Sequence, residues 1–390
     1  MCGAPAPSPA LIEMMMRYYD ATTTTKPAPV VEFADTGLWS TAPAAAEFAD
    51  TGSWSAPSTP SDSSSETDAS PHGGAMSAFY YHPEAAALAS QQMMMPRQLV
   101  QQMMPVPVPY KMMAPPRPRV EVRQVWQSNH REEMALIESL LPRFRYAAVD
   151  TEFPGTVYRP ACPAYLLTPE KRYALLKANV DELELIQLGL TLFNDDLSGG
   201  GANAVVWEFN FREFDPRRHR HAPDSIAMLR AKGVDFDRAA RDGVDSAAAF
   251  GPRLRKWLRG GAKAGLGRAG LVTFSGGYDM AYLVKAMFGA GYKLPATAAE
   301  FEAVAAALLR RRRVFDVKEM ARRCPGADLR GGLDCVAAKL GVARAVGEAH
   351  QAGSDSLLTC HTFIKMKQRY FDDDDKLAKV AGMLTGITTS

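Results

Sequence analysis

Several absences limit what this chain can be. No uninterrupted apolar run approaches the roughly 20 residues that a membrane-spanning helix needs, and the N-terminus lacks the basic-then-apolar order of a secretion signal. The five cysteines form no Cys-x-x-Cys pair and leave an odd thiol, which argues against a zinc framework and favours a reducing compartment. We therefore expect a soluble, intracellular protein that does not bind a membrane.

Net charge is also nearly absent. The 390 residues carry a formal charge of only +2, so overall electrostatics neither favour nor exclude a nucleic-acid partner. Any phosphate-binding surface has to be a local patch. The run Arg310–Arg313 could contact phosphates, or it could be the solvated end of a helix. A hydrophobic content of 47% is ample for the core of one large or two modest domains.

Residues 1–118 consist largely of Pro, Ala, Ser, Thr and Met. Such a sequence cannot bury enough apolar surface to offset the entropy lost on ordering, so we predict a disordered N-terminal tail. Within it, EFADTGLWS from Glu32 recurs as EFADTGSWS from Glu47. Two copies are too few for a solenoid. The EFADTGxWS repeats are therefore either a partner-docking motif used twice or a duplication without function.

Residues 119–385 are predicted to form one α/β domain. The strand VEVRQVW precedes a helix that a capping box of Asn129 and Glu132 would open. YAAVDTEF and LELIQLGLTLFND are further strands, and the Gly-rich LSGGGANA predicts a hairpin loop before AVVWEFNF. LVTFSGG then runs into the helix YDMAYLVKAMFG. Early hairpins and later helices indicate a mixed central sheet flanked by helices.

Two carboxylates stand one residue apart at the end of a predicted strand, in YAAVDTEF. Side-chain direction repeats every second residue in a strand, so Asp150 and Glu152 point from one face. Two carboxylates so close are unfavourable unless a cation lies between them, and Mg²⁺ prefers such oxygen ligands. The alternative for an isolated Asp-x-Glu is a solvated strand end.

Two further positions could complete a site. Asp279 lies where the strand LVTFSGG turns into a helix, at the strand end where open α/β sheets place ligands; a helix cap is its alternative. Asp355 starts a late helix five residues after His350, and the small residues between them would let both side chains face one pocket. The alternative is a capping Asp with a nearby surface His.

The order of these residues resembles the DEDD exonuclease superfamily, in its branch with a catalytic histidine. The resemblance narrows to the Caf/Pop-type poly(A) deadenylases, the nuclease subunits of the Ccr–Not complex, and covers about residues 120–385. In chain order, the motifs that carry it are DTEFPG from Asp150, NVD from Asn179, IQLGLT from Ile186, WEFNF from Trp207, GYD from Gly277, FDVK from Phe315 and, most specifically, HQAGSDSLLT from His350.

This resemblance implies an RNase H-like fold and a metal-dependent 3′-to-5′ exoribonuclease that shortens mRNA poly(A) tails and releases 5′-AMP. Two divalent ions, Mg²⁺ or Mn²⁺, would be held by the four matching acids, Asp150, Glu152, Asp279 and Asp355. His350 corresponds to the general base. The implied partners are the mRNA poly(A) tail, the Not scaffold and Ccr-type deadenylase subunits, in the cytoplasm and the nucleus.

Two positions near the acids leave alternatives open. Phe153 could stack on the terminal RNA base or could simply pack its strand. The family usually carries His-Ser-Gly-Tyr-Asp where this chain has Ser275-Gly276-Gly277-Tyr278-Asp279, so a second histidine is lost beside the third acid. The rival hypotheses are a general DEDD exonuclease that acts on DNA or structured RNA ends, and a weakly active scaffold.

Overall fold

The computed structural model describes residues 120–163, 166–195, 204–259, 270–289, 291–309 and 314–387, and all of these belong to one compact unit. The predicted disordered tail with its EFADTGxWS repeats, the predicted boundary at residue 118, the Gly-rich hairpin loop and the run Arg310–Arg313 lie outside the described residues. None of the described helices combines the length and apolar composition that a membrane crossing requires.

A six-stranded mixed sheet forms the centre of the described structure, in the order β1-β4-β3-β2-β5-β6. Strands β2, β3 and β4 pair antiparallel, whereas β1 pairs parallel with β4, and β5 pairs parallel with both β2 and β6. The predicted mixed sheet is therefore confirmed. The strands are β1 Val122–Val125, β2 Tyr146–Glu152, β3 Gln187–Phe193, β4 Ala204–Asn210, β5 Gly270–Thr273 and β6 Val314–Asp316.

Helices cover both faces of this sheet. A 3₁₀ turn at Leu141–Arg143 and a π turn at Ser246–Phe250 supplement them. The described α-helices are α1 His130–Leu140, α2 Pro169–Glu182, α3 Pro223–Ala231, α4 Phe236–Asp242, α5 Gly251–Arg259, α6 Gly277–Phe288, α7 Ala298–Leu309, α8 Val317–Arg322, α9 Leu333–Lys339, α10 Ala352–Tyr370 and α11 Asp374–Val380.

Alternation along β2 divides the core between the two faces. Ala147 and Val149 pack in the cluster that contains α6, and Tyr146 and Ala148 pack in the cluster that contains α10. Helix α10 crosses the sheet very closely at Gly189 of β3. A Cβ atom there would lie 1.8 Å from the carbonyl oxygen of Ala352, so only glycine permits this approach.

Two local predictions need correction. Asn129 precedes α1, but its side chain does not cap the helix; its Oδ1 accepts the N–H of Trp126, and its Nδ2 donates to the carbonyl of Gln124. The side-chain amide of Asn129 is therefore bound within the turn between β1 and α1, and it does not cap α1 as the predicted capping box requires. Helix α2 ends at Glu182, and the strand expected from Leu183 begins only at Gln187.

Candidate active site

Asp150 and Glu152 leave β2 on the face that α10 covers. They share this face with Ala148 because side chains alternate along the strand. Thr151 points to the opposite face, toward α6. Glu152 exposes only 8% of its surface, and Asp150 is partly buried. Glu152 is therefore not the solvated strand end that the motif alone left open.

The first turn of α10 and the turn before it bring a third carboxylate and a histidine to the same place. The main-chain N–H of His350 donates to Oδ2 of Asp355 at 2.8 Å, which closes the turn between them. Potential ligand atoms of Glu152, His350 and Asp355 all lie within 4.8 Å of one another. Residues from a strand and from a turn about 200 positions later in the chain thus converge on one small volume.

The charges in this volume are poorly compensated. Burial, and then the neighbouring acids, raise the pKa of Asp150 and of Glu152 well above their usual values. Burial also raises the pKa of Asp355, although Arg344 opposes the shift. Hard divalent cations take oxygen ligands of this kind. The residues therefore fit a Mg²⁺ or Mn²⁺ ion, which would neutralise carboxylates that the fold holds together at a cost.

Asp279 approaches the acids from α6. Its two oxygens accept hydrogen bonds from Thr151 Oγ1 at 2.6 Å and Thr273 Oγ1 at 2.9 Å. Burial raises its pKa to about 6, against the opposing effect of these hydroxyls. It lies outside the group of atoms within 4.8 Å, yet its charge contributes to the raised pKa of Asp150 and of Glu152. Asp279 thus lies next to that group, and the hydroxyls of Thr151 and Thr273 hold its carboxylate by hydrogen bonds.

His350 has two properties that suit a proton acceptor. Burial lowers its pKa, with Asp355 opposing the shift, so the neutral imidazole that a general base requires is favoured. Its backbone is left-handed, with φ at 65°. Among the described residues, Ser275 is the other non-glycine residue in this region, and such strain tends to collect at functional sites.

Asp316 holds the turn between β5 and α6. It is fully buried, and its carboxylate accepts the main-chain N–H groups of Ser275 at 2.9 Å and Gly276 at 3.0 Å. It also accepts the N–H of Thr385, at 2.9 Å, from the C-terminal segment. Asp316 therefore fixes the chain directly before Asp279. Asp316 belongs to the FDVK motif, and nothing in the sequence predicted this role for it.

A row of residues across the sheet, with the buried carboxylate of Glu208 in it, supports the start of α10. Strand register aligns Asp150, Gly189, Glu208 and Gln124 across four strands. Glu208, 7% exposed, accepts the main-chain N–H of Gly353 at 2.8 Å and the amide of Gln124 at 2.9 Å. A carboxylate at the positive end of a helix is favourable, so Glu208 anchors the turn that carries Asp355.

Phe153 packs within the protein. Its ring stacks on Tyr278, with centroids 4.9 Å apart, and contacts Tyr282 at 5.1 Å. Asn179 lies beside this group: its amide donates to the Tyr278 hydroxyl at 3.3 Å, and its Oδ1 accepts the N–H of Val157 at 2.8 Å. Of the two alternatives, the packing role is the one observed. A stacking role for Phe153 on RNA stays a prediction.

Among the described residues, Arg344 is the cation closest to the acids, and nothing in the sequence predicted it. Its guanidinium lies 2.6 Å from Oδ1 of Asp355 and 2.9 Å from Asp334. The side chains of Arg344 and Asp355 expose only 14% and 11% of their surfaces. Nothing in the local sequence signals this pair, because the two residues meet only when the turn before α10 folds back on α9.

Arg344→Met is expected to destabilise the metal-free protein by about 3 kcal/mol, because removing one partner leaves a buried carboxylate uncompensated. Added Mn²⁺ should recover part of this loss. Urea unfolding in chelator and in Mn²⁺ measures both effects. Arg330→Met is the control, since Arg330 pairs with Asp328 on the surface. Equal stability of the two variants in chelator would show that Arg344 does not compensate the acids.

Known ribonucleases are similar to this chain in sequence. A family model described as CAF1 family ribonuclease matches residues 125–248. The probable CCR4-associated factor 1 homolog 10 of Arabidopsis thaliana is 39% identical over 272 residues, which cover 69% of this chain and 92% of that protein. The poly(A) ribonuclease pop2 of Schizosaccharomyces pombe is 36% identical over 251 residues, which cover 64% of this chain and 70% of that protein.

Solved structures agree with these sequence matches. The structure of S. pombe Pop2p in its Mg²⁺- and Mn²⁺-bound form has a TM-score of 0.58 and 34% identity, over 68% of this chain and 99% of that one. The structure of the yeast NOT1 MIF4G domain co-crystallized with CAF1 contains a chain with a TM-score of 0.54 and 25% identity, over 70% of this chain and 100% of that one. Sequence, fold and converging acids agree, and the chain belongs to the CAF1 family of ribonucleases.

Proposed function

We propose that this chain is a metal-dependent 3′-to-5′ exoribonuclease that shortens the poly(A) tails of messenger RNA and releases 5′-AMP. The observation that carries the proposal is the convergence of Glu152, His350 and Asp355 within 4.8 Å, in a member of the CAF1 ribonuclease family. One relative is named a poly(A) ribonuclease, and its structure was determined with Mg²⁺ and Mn²⁺ bound. Both support the substrate and the cofactor.

The residues of the site divide the chemistry between them. Asp150, Glu152, Asp279 and Asp355 would hold two divalent ions, which when bound make water a better nucleophile and stabilise the charge on the attacking and leaving oxygens. His350, whose pKa burial lowers, would accept the proton of the attacking water at a ring nitrogen. Burial of the acids excludes bulk water and strengthens every charge interaction in the site.

A substrate comparison tests the activity. Full-length protein is incubated with Mg²⁺ or Mn²⁺ and a 5′-labelled RNA that ends in oligo(A), in oligo(C) or in oligo(dA). We expect stepwise loss of single nucleotides from the oligo(A) RNA, slower loss from the other two, and none in chelator. Equal rates on the deoxy tail would favour a general DEDD exonuclease, and no degradation of any RNA would favour a scaffold.

The proposed setting is a Ccr–Not complex in the cytoplasm and the nucleus, with the Not scaffold and a Ccr-type deadenylase as partners. The structure of a yeast relative with the NOT1 MIF4G domain supports the first partner. Copurification of the full chain with an MIF4G domain tests it, and fluorescent tagging tests the location.

Alanine substitution of Phe33, Trp39, Phe48 and Trp54 in the EFADTGxWS repeats should leave the copurification with the MIF4G domain intact if the repeats dock a different partner.

A further inference from the structure

Helix α3 borders the candidate site at both ends. Before its start, the N–H of Ala222 donates to the carbonyl of Pro154 at 2.9 Å, just after Glu152. After its end, the carbonyl of Lys232 accepts the side-chain amide of Gln351 at 2.9 Å, directly beside His350. The helix thus spans the site from the chain that leaves β2 to the turn that opens α10.

Lys232 extends from the end of α3 to the near side of His350. Its Nζ atom lies 2.9 Å from Oε2 of Glu348, while its carbonyl is bound by Gln351, so Lys232 contacts the chain on both sides of the histidine. Its field reaches the imidazole: burial lowers the pKa of His350, Asp355 opposes this, and the Lys232 ammonium adds to the lowering.

The ion pair between Lys232 and Glu348 is more exposed than Arg344, the other cation at the site. The side chains of Lys232 and Glu348 are 30% and 66% exposed, respectively, and an exposed pair of this kind contributes little to stability. Arg344, by contrast, is 14% exposed and engages Asp334 and Asp355. Lys232 can therefore exchange its carboxylate partner for another anion at small cost, whereas Arg344 cannot.

An RNA 3′ end must bring its phosphates to a group of carboxylates, which repels them. A cation that stands at the edge of this group and can change partners meets that requirement. We propose that Lys232 binds a backbone phosphate of the incoming RNA strand beside His350, and that Glu348 competes with this phosphate for the Lys232 ammonium. The inference rests on the proposed function and adds a substrate-positioning residue to it.

Opposite effects of two substitutions test the inference. Binding of a 5′-fluorescent oligo(A) RNA to full-length protein is measured by anisotropy in chelator, where no turnover occurs, over a range of salt concentrations. Lys232→Met should weaken binding about fivefold at low salt and reduce the slope of log Kd against log salt by about 0.7, as expected for one lost phosphate contact on a single strand. Glu348→Gln should tighten binding, because it releases Lys232 to the RNA.

A matched ion pair supplies the controls. Lys376 of α11 and Asp372, two residues before that helix, form an exposed pair at 2.7 Å. Lys376→Met and Asp372→Asn change the net charge as Lys232→Met and Glu348→Gln do, and both should leave Kd unchanged. In the presence of Mn²⁺, Lys232→Met should raise KM on oligo(A) RNA more than it lowers kcat. A purely structural Lys232–Glu348 pair would instead make both of its substitutions weaken binding, and that outcome overturns the inference.

The proposed function and the inference fail separately. A wild-type protein without activity on oligo(A) RNA overturns the proposed function, whatever the variants bind. An active wild type whose Kd and salt slope are unchanged by Lys232→Met overturns only the role of Lys232. Melting temperatures equal to wild type in all four variants confirm that the comparison concerns binding and not folding.

Discussion

Asp150→Asn is expected to lower the rate of oligo(A) shortening by at least about a thousandfold, because a metal site supplies several kcal/mol of transition-state stabilisation. The same substitution should raise the melting temperature of the metal-free protein. Burial and the neighbouring acids raise the pKa of Asp150 well above its usual value, so its charge at neutral pH opposes folding. Neutral asparagine removes this opposition.

Activity assays in Mn²⁺ and thermal unfolding in chelator check the two halves separately. Asp372→Asn is the matched control, since Asp372 is an exposed acid whose pKa is lowered by its hydrogen bond to Lys376. This variant should keep the wild-type rate of oligo(A) shortening and should show no gain in melting temperature. A variant at Asp150 that remains active, or that melts below wild type in chelator, would contradict the prediction.

The pH dependence of stability follows from the same charges. An acid with a raised folded-state pKa binds more protons in the native state than in the unfolded one, so stability falls as pH rises between the two values. For Asp279 this window extends from 3.8 to about 6, and Asp150 and Glu152 shift in the same direction. In the metal-free protein, the gain in melting temperature of Asp150→Asn over wild type should therefore grow from pH 4 toward neutrality, as Asp150 loses its proton.

Gly189→Ala is expected to cost about 3 kcal/mol of folding free energy or more, as overpacking against a backbone does. The new Cβ would lie 1.8 Å from the carbonyl oxygen of Ala352 and 2.8 Å from the nitrogen of Gly353. Neither atom can move unless the whole start of α10 moves. Asp355 lies in that first turn, so the variant should also lose most of the stabilisation that Mn²⁺ gives to wild type.

Urea unfolding with and without Mn²⁺ measures this prediction. Gly341→Ala is the control, because a Cβ there meets no atom within 4 Å while φ is +72°; it should cost only about 1 kcal/mol of backbone strain and keep the metal response. A Gly189 variant that matches Gly341→Ala in both measurements would show that α10 can shift without affecting the acids.

Local rules were enough to predict the sheet and one face of the site. The two-residue period of β2 placed Asp150 and Glu152 together, and the antiparallel hairpin of β3 and β4 followed from a Gly-rich stretch between apolar runs. Helix α2 was missed because its sequence is largely polar. Its signal was nevertheless present, since Thr168 caps it and Pro169 begins it.

Contacts between distant parts of the chain account for what the sequence did not reveal. Glu208 reaches Gly353 across 145 positions, and no local pattern encodes such a distance. Arg344 lies closer in sequence to Asp355, but a single arginine in a loop carries no signal of its partner. The roles of Asp150, Glu152, Asp279, His350 and Asp355 as ligands and base stay predictions, and Asp150→Asn tests the first of them.

The turn that precedes Asp279 is held without any contribution from the side chain of residue 275. Asp316 binds it through the main-chain N–H groups of Ser275 and Gly276, and every amino acid other than proline supplies such groups. The identity of residue 275 is thereby uncoupled from the position of the acid that follows it. Histidine tolerates left-handed backbone better than most residues, so Ser275→His should leave Asp279 and the other acids in register.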